Sequence, residues 1–249
     1  MAKRSSTDVA FILVGGYDVL GTLTEIDFHA EALLERVDAL GDSWQAQAFV
    51  GVRDAVLTQK GFYDDAAGSV HDALSTGPGV SRVLIAGFGG TATGAPFLGW
   101  QGAMQVNYDR IFSREALTKA EASYRTNGIV NEGKIVRTYK GAGATGASTG
   151  TPLDGAASST GVAAYLAYNS TAGEANIRVL HSSDNITYAA AFTFTRTAKG
   201  TAAVVAGAER LYTSGVIERY TAADVTTATA TGSIADLNYF VGVVRGATA

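Results

Sequence analysis

Apolar and polar side chains alternate along much of the chain, and this alternation predicts a mainly β protein. The clearest case is 22–30, where Ile26 and Phe28 fall on one face of a strand and Glu25 and Asp27 on the other. Further strands are predicted in the first part of the chain at 9–14, 50–63, 80–86, 97–112 and 117–130. In the second part they are predicted, with the turn spacing of a β-sandwich, at 162–169, 175–181, 188–195, 201–205, 210–219 and 237–244.

Two segments have helical spacing. Residues 31–37, EALLERV, fit either a helix or a continuation of the preceding strand, and both alternatives stay open. Residues 64–75 are the best helix candidate, because Asp64 and Asp65 suit a helix N-terminus and a Gly-Pro-Gly sequence follows. The apolar stripe of this predicted helix consists of Ala67, Val70, Ala73 and Leu74.

The clearest change of composition lies at 141–160, which consists almost entirely of Gly, Ala, Ser and Thr. Such a composition is typical of a flexible linker or a long loop. It predicts two domains of ordinary size, at 1–140 and 161–249.

Composition and charge restrict the function. Hydrophobic residues make up 47% of the 249 residues and charged residues 17%, which favours a folded globular protein. No apolar run reaches membrane-spanning length, and the N-terminus lacks the apolar core of a secretion signal. Because cysteine is absent as well, we expect folding in a cytosol. The net charge of −4 excludes a broad basic surface for tight nucleic-acid binding.

Two glycine-rich segments resemble phosphate-binding loops. Residues 87–92 match G-x-G-x-x-A after an apolar strand, but too few residues precede the next strand for a crossover helix. We therefore interpret them as a loop between antiparallel strands. Residues 128–135 approach a Walker A motif, but Ile135 stands where a hydroxyl would bind magnesium, and the following sequence is a strand.

The candidate catalytic residues are few. The chain has three histidines, no cysteine, no H-E-x-x-H and no G-x-S-x-G sequence. His71 lies on the predicted helix, His181 precedes a predicted turn, and Asp64 with Asp65 is explained by helix capping. The sequence therefore predicts a protein that is not an enzyme and has no cofactor or metal.

The acidic residues Glu25, Asp27, Glu31 and Glu35 form a stripe along one stretch of the chain. Such a stripe is most often a solvated face. A functional alternative is a negative wall past which a polyanion moves without adhering, because like charges repel and no counterions are released.

Residues 8–140 resemble the major tail proteins, or tail tube proteins, of long-tailed bacteriophages and related prophages. The resemblance rests on the segments FILVGGYDVLG, AEALLERVDALGDSWQ, VLTQKGFYDDAAGSVHDAL and AEASYRTNGIV. It implies an N-terminal β-sandwich or barrel with one flanking α-helix. It also implies self-assembly into hexameric rings that stack around a tape-measure protein, end at a tail-terminator protein and let DNA pass without adhering.

The same resemblance implies a place in the virion tail, after assembly in the host cytoplasm. The resemblance also leads to two predictions about residues. Glu25, Asp27 and Glu31 are predicted to line the channel, and Trp44 and Phe49 are predicted to contact other subunits. For Trp44, a hydrophobic plug within its own domain is an equal alternative.

The second segment resembles the antiparallel, jelly-roll-type sandwiches that often follow in phage proteins. Its S-x-D-N-x-x-Y sequence is also similar to discoidin-like carbohydrate-binding modules, although Tyr188 stands where many of these have Trp. The alternative function is therefore host adhesion through this domain, with host glycans contacting Tyr168 and Tyr188.

Overall fold

The computed structural model describes residues 9–36, 47–66, 70–75, 79–112, 114, 116–139, 148–170, 175–195, 205–227 and 237–247. Strands predominate over these residues, which confirms the prediction of a mainly β fold. The first strands are β1 (Val9–Val14), β2 (Tyr17–Asp18), β3 (Leu23–Arg36), β4 (Gln47–Phe62), β5 (Ser81–Phe88), β6 (Pro96–Ile111), β7 (Lys119–Thr126) and β8 (Val130–Tyr139). The later strands are β9 (Ser148–Thr149), β10 (Leu153–Asp154), β11 (Val162–Ser170), β12 (Ala175–Ser182), β13 (Ala189–Thr193), β14 (Val205–Thr213), β15 (Tyr220–Thr227) and β16 (Leu237–Arg245).

The long strand β6 organises the larger sheet. On one side it pairs with β5, and on the other side it pairs with β8 over its first residues and with β7 over its last. Strands β7 and β8 thus follow each other along one edge of β6. Strand β4 then pairs with β7, and β16 pairs with β8, so the sheet divides into two branches. Over the described residues it does not close into a barrel.

One branch is built from the long strands β3 and β4, which form an antiparallel hairpin. The other contains β16, β11 and β14 in that order. Because β16 pairs with β8, the second segment of the chain adds strands to the sheet of the first. Strands β9 and β10 lie within the predicted linker, and both pair with β15. The division into domains at 141–160 stays a prediction.

The smaller sheet contains β10, β15, β12 and β13 in that order, and β9 as a further partner of β15. It packs face to face on the β8–β16–β11–β14 branch across an apolar core that includes Leu166, Ile177, Val225 and Val241. This arrangement is the predicted antiparallel sandwich of the second segment. A separate core, which includes Phe97, Tyr165 and Phe240, lies on the other face of the same branch.

The helix α1 (Val70–Leu74) covers the core of the first segment. Three residues of the predicted stripe, Val70, Ala73 and Leu74, are buried there, and Ala67 lies outside the described residues. The carbonyl of Leu74 accepts a hydrogen bond from the buried Gln105 side chain at 2.9 Å. The helix is therefore held on β6 by a side chain as well as by apolar contacts.

Several strand predictions needed correction. At 31–37 the sequence allowed a helix or a continuation of the strand, and the structure has the strand, because β3 extends to Arg36 and pairs with β4 along its length. The strand predicted at 210–219 lies instead at Val205–Thr213. Strand β15 was not predicted, because its sequence, YTAADVTT, has little contrast between apolar and polar positions. The strand predicted at 117–130 is interrupted in the structure: β7 ends at Thr126, residues 127–129 are not in a strand, and β8 begins at Val130.

Within the described residues, α1 is much too short to cross a membrane, and no other helix is long and apolar enough to do so.

Candidate functional site: an acidic face on the long strands

The hairpin branch has two unlike faces. Strands β3, β4, β7 and the end of β6 lie side by side, so paired residues share a face. On the inner face, Leu57, Ala122 and Tyr124 are buried beneath α1 and the neighbouring strands. On the outer face most side chains are polar or charged, although the apolar residues Val56, Phe62, Met104 and Ile111 also lie there. A largely polar face is typical of an antiparallel sheet with one solvated side.

Among the charged side chains of the outer face, acidic ones predominate. Its described carboxylates are Glu25, Asp27, Glu31, Asp54, Asp109 and Glu121, and we call this set the acidic face. The described cations on the same face are Lys60, Lys119 and Arg125. Among the described residues, six carboxylates against three cations leave the face negatively charged.

Lys60 lies among the carboxylates of two strands, β3 and β7. Its Nζ donates to Glu25 at 3.0 Å, and both groups are substantially exposed. This hydrogen bond and the charge of Glu25 raise the pKa of Lys60 above its ordinary value. Desolvation opposes the shift, and the charges of Glu121 and Asp27 add smaller increases. The pKa shift therefore comes mainly from the ion pair with Glu25, to which two other carboxylates of the acidic face add.

Neutral side chains link the strands between these charges. The hydroxyls of Thr58 and Ser123 lie 3.2 Å apart across β4 and β7. The Asn107 side chain accepts from the Ser123 amide at 2.7 Å and donates to Asp109 at 2.8 Å. Two of these contacts link neighbouring strands, β4 to β7 and β7 to β6, and the third holds the Asp109 carboxylate to its own strand β6.

Strand β3 forms the margin of this face. In the part of the chain that the structure describes, it pairs with β4 alone, so its other edge is open. It has 14 residues, which is long for an edge strand. The backbone N–H and C=O groups along such an edge are able to pair with a strand of another chain.

The structure brings the three predicted channel residues, Glu25, Asp27 and Glu31, together on the acidic face, and all three are exposed. Their role in a channel stays a prediction. Trp44 lies outside the described residues, and for Phe49 only its backbone position in β4, opposite Leu34, is described. Their predicted contacts with other subunits are therefore untested.

The two predicted glycan residues lie on different sheets. Tyr168 belongs to β11, and a Cβ added at Gly207 on the neighbouring strand β14 would come within 2.7 Å of its ring. Tyr188 precedes β13 in the smaller sheet, and its hydroxyl donates to the Asn185 side chain. Their role in binding glycans stays a prediction.

The two glycine-rich segments have the structures predicted from the sequence. Residues 87–92 connect the antiparallel strands β5 and β6, and Gly89 and Gly90 have positive φ values of 82° and 110°. Gly133 and Ile135 lie within β8. Neither segment begins a helix, so neither has the geometry of a phosphate-binding loop.

Sequence reasoning did not identify Asp54, Asp109 and Glu121 as part of the acidic face. Asp54 lies on β4, the next strand after β3, whereas Asp109 and Glu121 lie far from β3 in sequence; strand pairing brings all three beside it. The alternation within each strand predicts which face of the sheet each residue occupies. No local pattern in the sequence predicts the order of the strands, which brings these residues together.

No protein-family model matches this chain, and no curated protein matches it either. Among solved structures, a chain of the virion of a native gene transfer agent particle is similar, with 14% identity and a TM-score of 0.41 over 51% of this chain and 97% of that one. A chain from the tail of an empty gene transfer agent particle, which has C6 symmetry, shows 15% identity and a TM-score of 0.41 over the same shares. The Dit protein of phage SPP1, described as a hub of the adsorption apparatus, shows 9% identity and a TM-score of 0.30 over 94% of this chain and 98% of that one. All three TM-scores lie below 0.5, and no role is assigned to this chain from them.

Proposed function

We propose that this chain is a virion structural protein, a tail tube subunit of a bacteriophage that assembles with copies of itself into rings of six. The rings stack into a tube whose channel carries the genome. Two observations support this proposal: the resemblance of residues 8–140 to tail tube proteins, and the combination of an open strand edge with an acidic face on one branch of the sheet.

The open edge of β3 supports self-assembly. A strand of a neighbouring copy completes the hydrogen bonds of such an edge by β-augmentation. If the neighbour contributes a different strand, the contact is heterologous, and a rotation that closes gives a ring. The charged side chains of β3 restrict pairing to a partner whose charges fit, which limits unspecific aggregation.

The acidic face supports a channel that conducts DNA. In a ring joined through β3, the sheets of the subunits become continuous, and one face of that sheet lines the inside. We place the acidic face there, so that every subunit contributes excess negative charge around the path of the phosphate backbone. Like charges repel and no counterions are released, so the polyanion gains no binding energy at the wall. At physiological salt this repulsion acts over roughly 8 to 10 Å.

The partners in this proposal are further copies of the chain, a tape-measure protein in the channel and a tail-terminator protein at the end of the tube. The second sandwich lies on the outside of the tube. The role is structural, without catalysis or a cofactor, and the place of action is the virion tail.

The proposal is tested by two proline substitutions in β3, His29→Pro and Ala30→Pro. Both residues are exposed, and the backbone N–H groups of neighbouring strand residues point to opposite edges. One proline therefore removes a hydrogen bond to β4, and the other removes an N–H from the open edge. The two variants are matched controls for each other.

We expect the variant with the altered open edge to keep the thermal stability of the monomer and to lose assembly, measured by light scattering and negative-stain microscopy of concentrated protein. The other variant should lose thermal stability. Assembly that survives in both folded variants, or a wild-type chain that stays monomeric at all concentrations, contradicts the proposal.

A further inference from the structure

The turn between β6 and β7 exposes apolar side chains at one end of the hairpin branch. Ile111, Phe112 and Leu117 are 49%, 73% and 70% exposed. Arg114 and Lys119 are exposed beside them, and Lys119 is paired with Ile111 across the two strands. We call these five residues the β6–β7 tip. Exposed apolar side chains that lie next to one another on a folded protein are typical of an interaction surface.

The β6–β7 tip is also positively charged. Neither Arg114 nor Lys119 has an ion-pair partner among the residues that the structure describes. By sequence, residues 110–119 contain three cations and a single carboxylate, Glu115, which lies outside the described residues. A partner for the tip should therefore offer negative charge as well as apolar contact.

The other end of the same branch carries an excess of negative charge. Glu31 on β3 and Asp54 on β4 are paired directly across the two strands. Like charges opposite each other in an antiparallel pair are destabilising. His29 lies 3.4 Å from Glu31, and Arg125 lies 3.7 Å from Asp54. A further cation brought to this pair of carboxylates would stabilise it.

The two ends of the branch cannot meet within one chain. Phe62, which is paired with Lys119, lies eight residues beyond Asp54 along β4. Eight residues of an extended strand span roughly 27 Å, whereas an ion pair requires its atoms to lie within about 4 Å. The carboxylates that fit the β6–β7 tip are therefore those of a second copy of this chain.

The direction of this contact differs from that of the contact through the open edge of β3. Backbone pairing at an edge runs perpendicular to the strands, but the β6–β7 tip and the Glu31–Asp54 pair lie at opposite ends of the strands. In a ring whose sheets are joined edge to edge, a contact along the strands reaches a copy in the next ring. It joins two different surfaces, so it is heterologous and repeats without closing, which produces a stack.

We propose that the β6–β7 tip is the surface through which one ring stacks on the next. Phe112 and Leu117 of one copy pack against a copy in the next ring, where Lys119 lies beside the partner's Glu31. This inference rests on the proposed assembly into rings and names the surface that turns rings into a tube.

The test compares the full chain with tip variants by negative-stain microscopy and light scattering of concentrated protein. Phe112→Ser combined with Leu117→Ser removes the apolar surface, and Lys119→Glu reverses a charge. We expect both variants to form single rings and to lower the ratio of tubes to rings at least tenfold. The matched controls are Ile186→Ser, at an apolar residue of the second segment that is 82% exposed, and Lys134→Glu, at an exposed lysine of β8; both should form tubes as the wild type does.

An exchange of charges tests the pairing itself. Adding Glu31→Lys to Lys119→Glu should restore the tubes, because the two charges then attract each other again across the contact. Thermal melting of each variant shows that it is folded. The inference is overturned if the folded Phe112→Ser, Leu117→Ser variant forms tubes as the wild type does, or if the exchange of charges does not restore them. A wild type that forms no rings overturns the proposed assembly itself, and this inference with it.

Discussion

Phe97 packs at the centre of the core that joins the two segments of the chain, and its surroundings allow a quantitative test of the fold. Its ring centroid lies 5.1 Å from that of Phe240 and 5.7 Å from that of Tyr165. The ring also lies against the backbone of Gly242 in β16, where an added Cβ would come 2.5 Å from Phe97 and 2.7 Å from Phe240. A methyl group at Gly242 therefore has no room unless these rings move.

We expect Gly242→Ala to lower the free energy of unfolding by about 1 to 3 kcal/mol, as overpacking of a core does. Phe97→Ala should lower it by about 3 to 5 kcal/mol, because a nearly fully buried ring is lost. In the double variant the main obstacle to the new methyl group is gone. We therefore expect the double variant to lose less unfolding free energy than the two single variants lose in total, by about 1 to 2 kcal/mol.

The measurement is urea denaturation, monitored through the fluorescence of the buried Trp100. The dependence of the unfolding free energy on urea concentration is compared between variants. Gly21→Ala is the control, since an added Cβ at Gly21 would meet no atom within 4 Å. It should change the free energy of unfolding by less than about 0.5 kcal/mol. Strict additivity of Phe97→Ala and Gly242→Ala would refute the direct packing of β6 against β16.

Replacing Glu25, Asp27 and Glu31 by lysine reverses the charge of the acidic face. An electrophoretic mobility shift assay should then detect binding of duplex DNA by the variant, whereas the wild type should not bind. The logarithm of the variant's binding constant should fall with the logarithm of the salt concentration with a slope of about −3. Absence of binding by the variant would contradict the accessibility of this face. Backbone amides of the following turn hold the pKa of Asp184 at about 2, below its unfolded value. Its carboxylate therefore contributes stability that is complete above about pH 4 and is lost as the pH falls through 2. An NMR titration midpoint near 4 for Asp184 would contradict this. Tyr165→Phe should lower the free energy of unfolding by about 1 to 2 kcal/mol in the same urea assay, because the hydroxyl that donates to the Asn131 side chain at 2.8 Å is lost. A neutral result would show that water replaces it.

Local patterns in the sequence predicted most of the strands. The alternation at 22–30 gave both the existence of β3 and the face of Glu25, because a strand with one solvated side must alternate. The apolar stripe of α1 was equally clear. The glycine-rich loop at 87–92 was recognised because no helix could follow it.

The order of the strands could not be predicted in the same way. Nothing near Val241 indicates that β16 pairs with β8, a strand about a hundred residues earlier, since such pairing depends on the packing of the whole sheet. For the same reason, the sequence did not predict that Asp109 and Glu121 belong to the acidic face.

Self-assembly into stacked rings is the central claim, and negative-stain electron microscopy of the concentrated full-length protein tests it most directly. We predict rings with a central channel, stacked into tubes at high concentration, and the same rings in cross-sections of the parent virion tail. A monodisperse monomer under all conditions, together with absence of the chain from virions, would contradict the account.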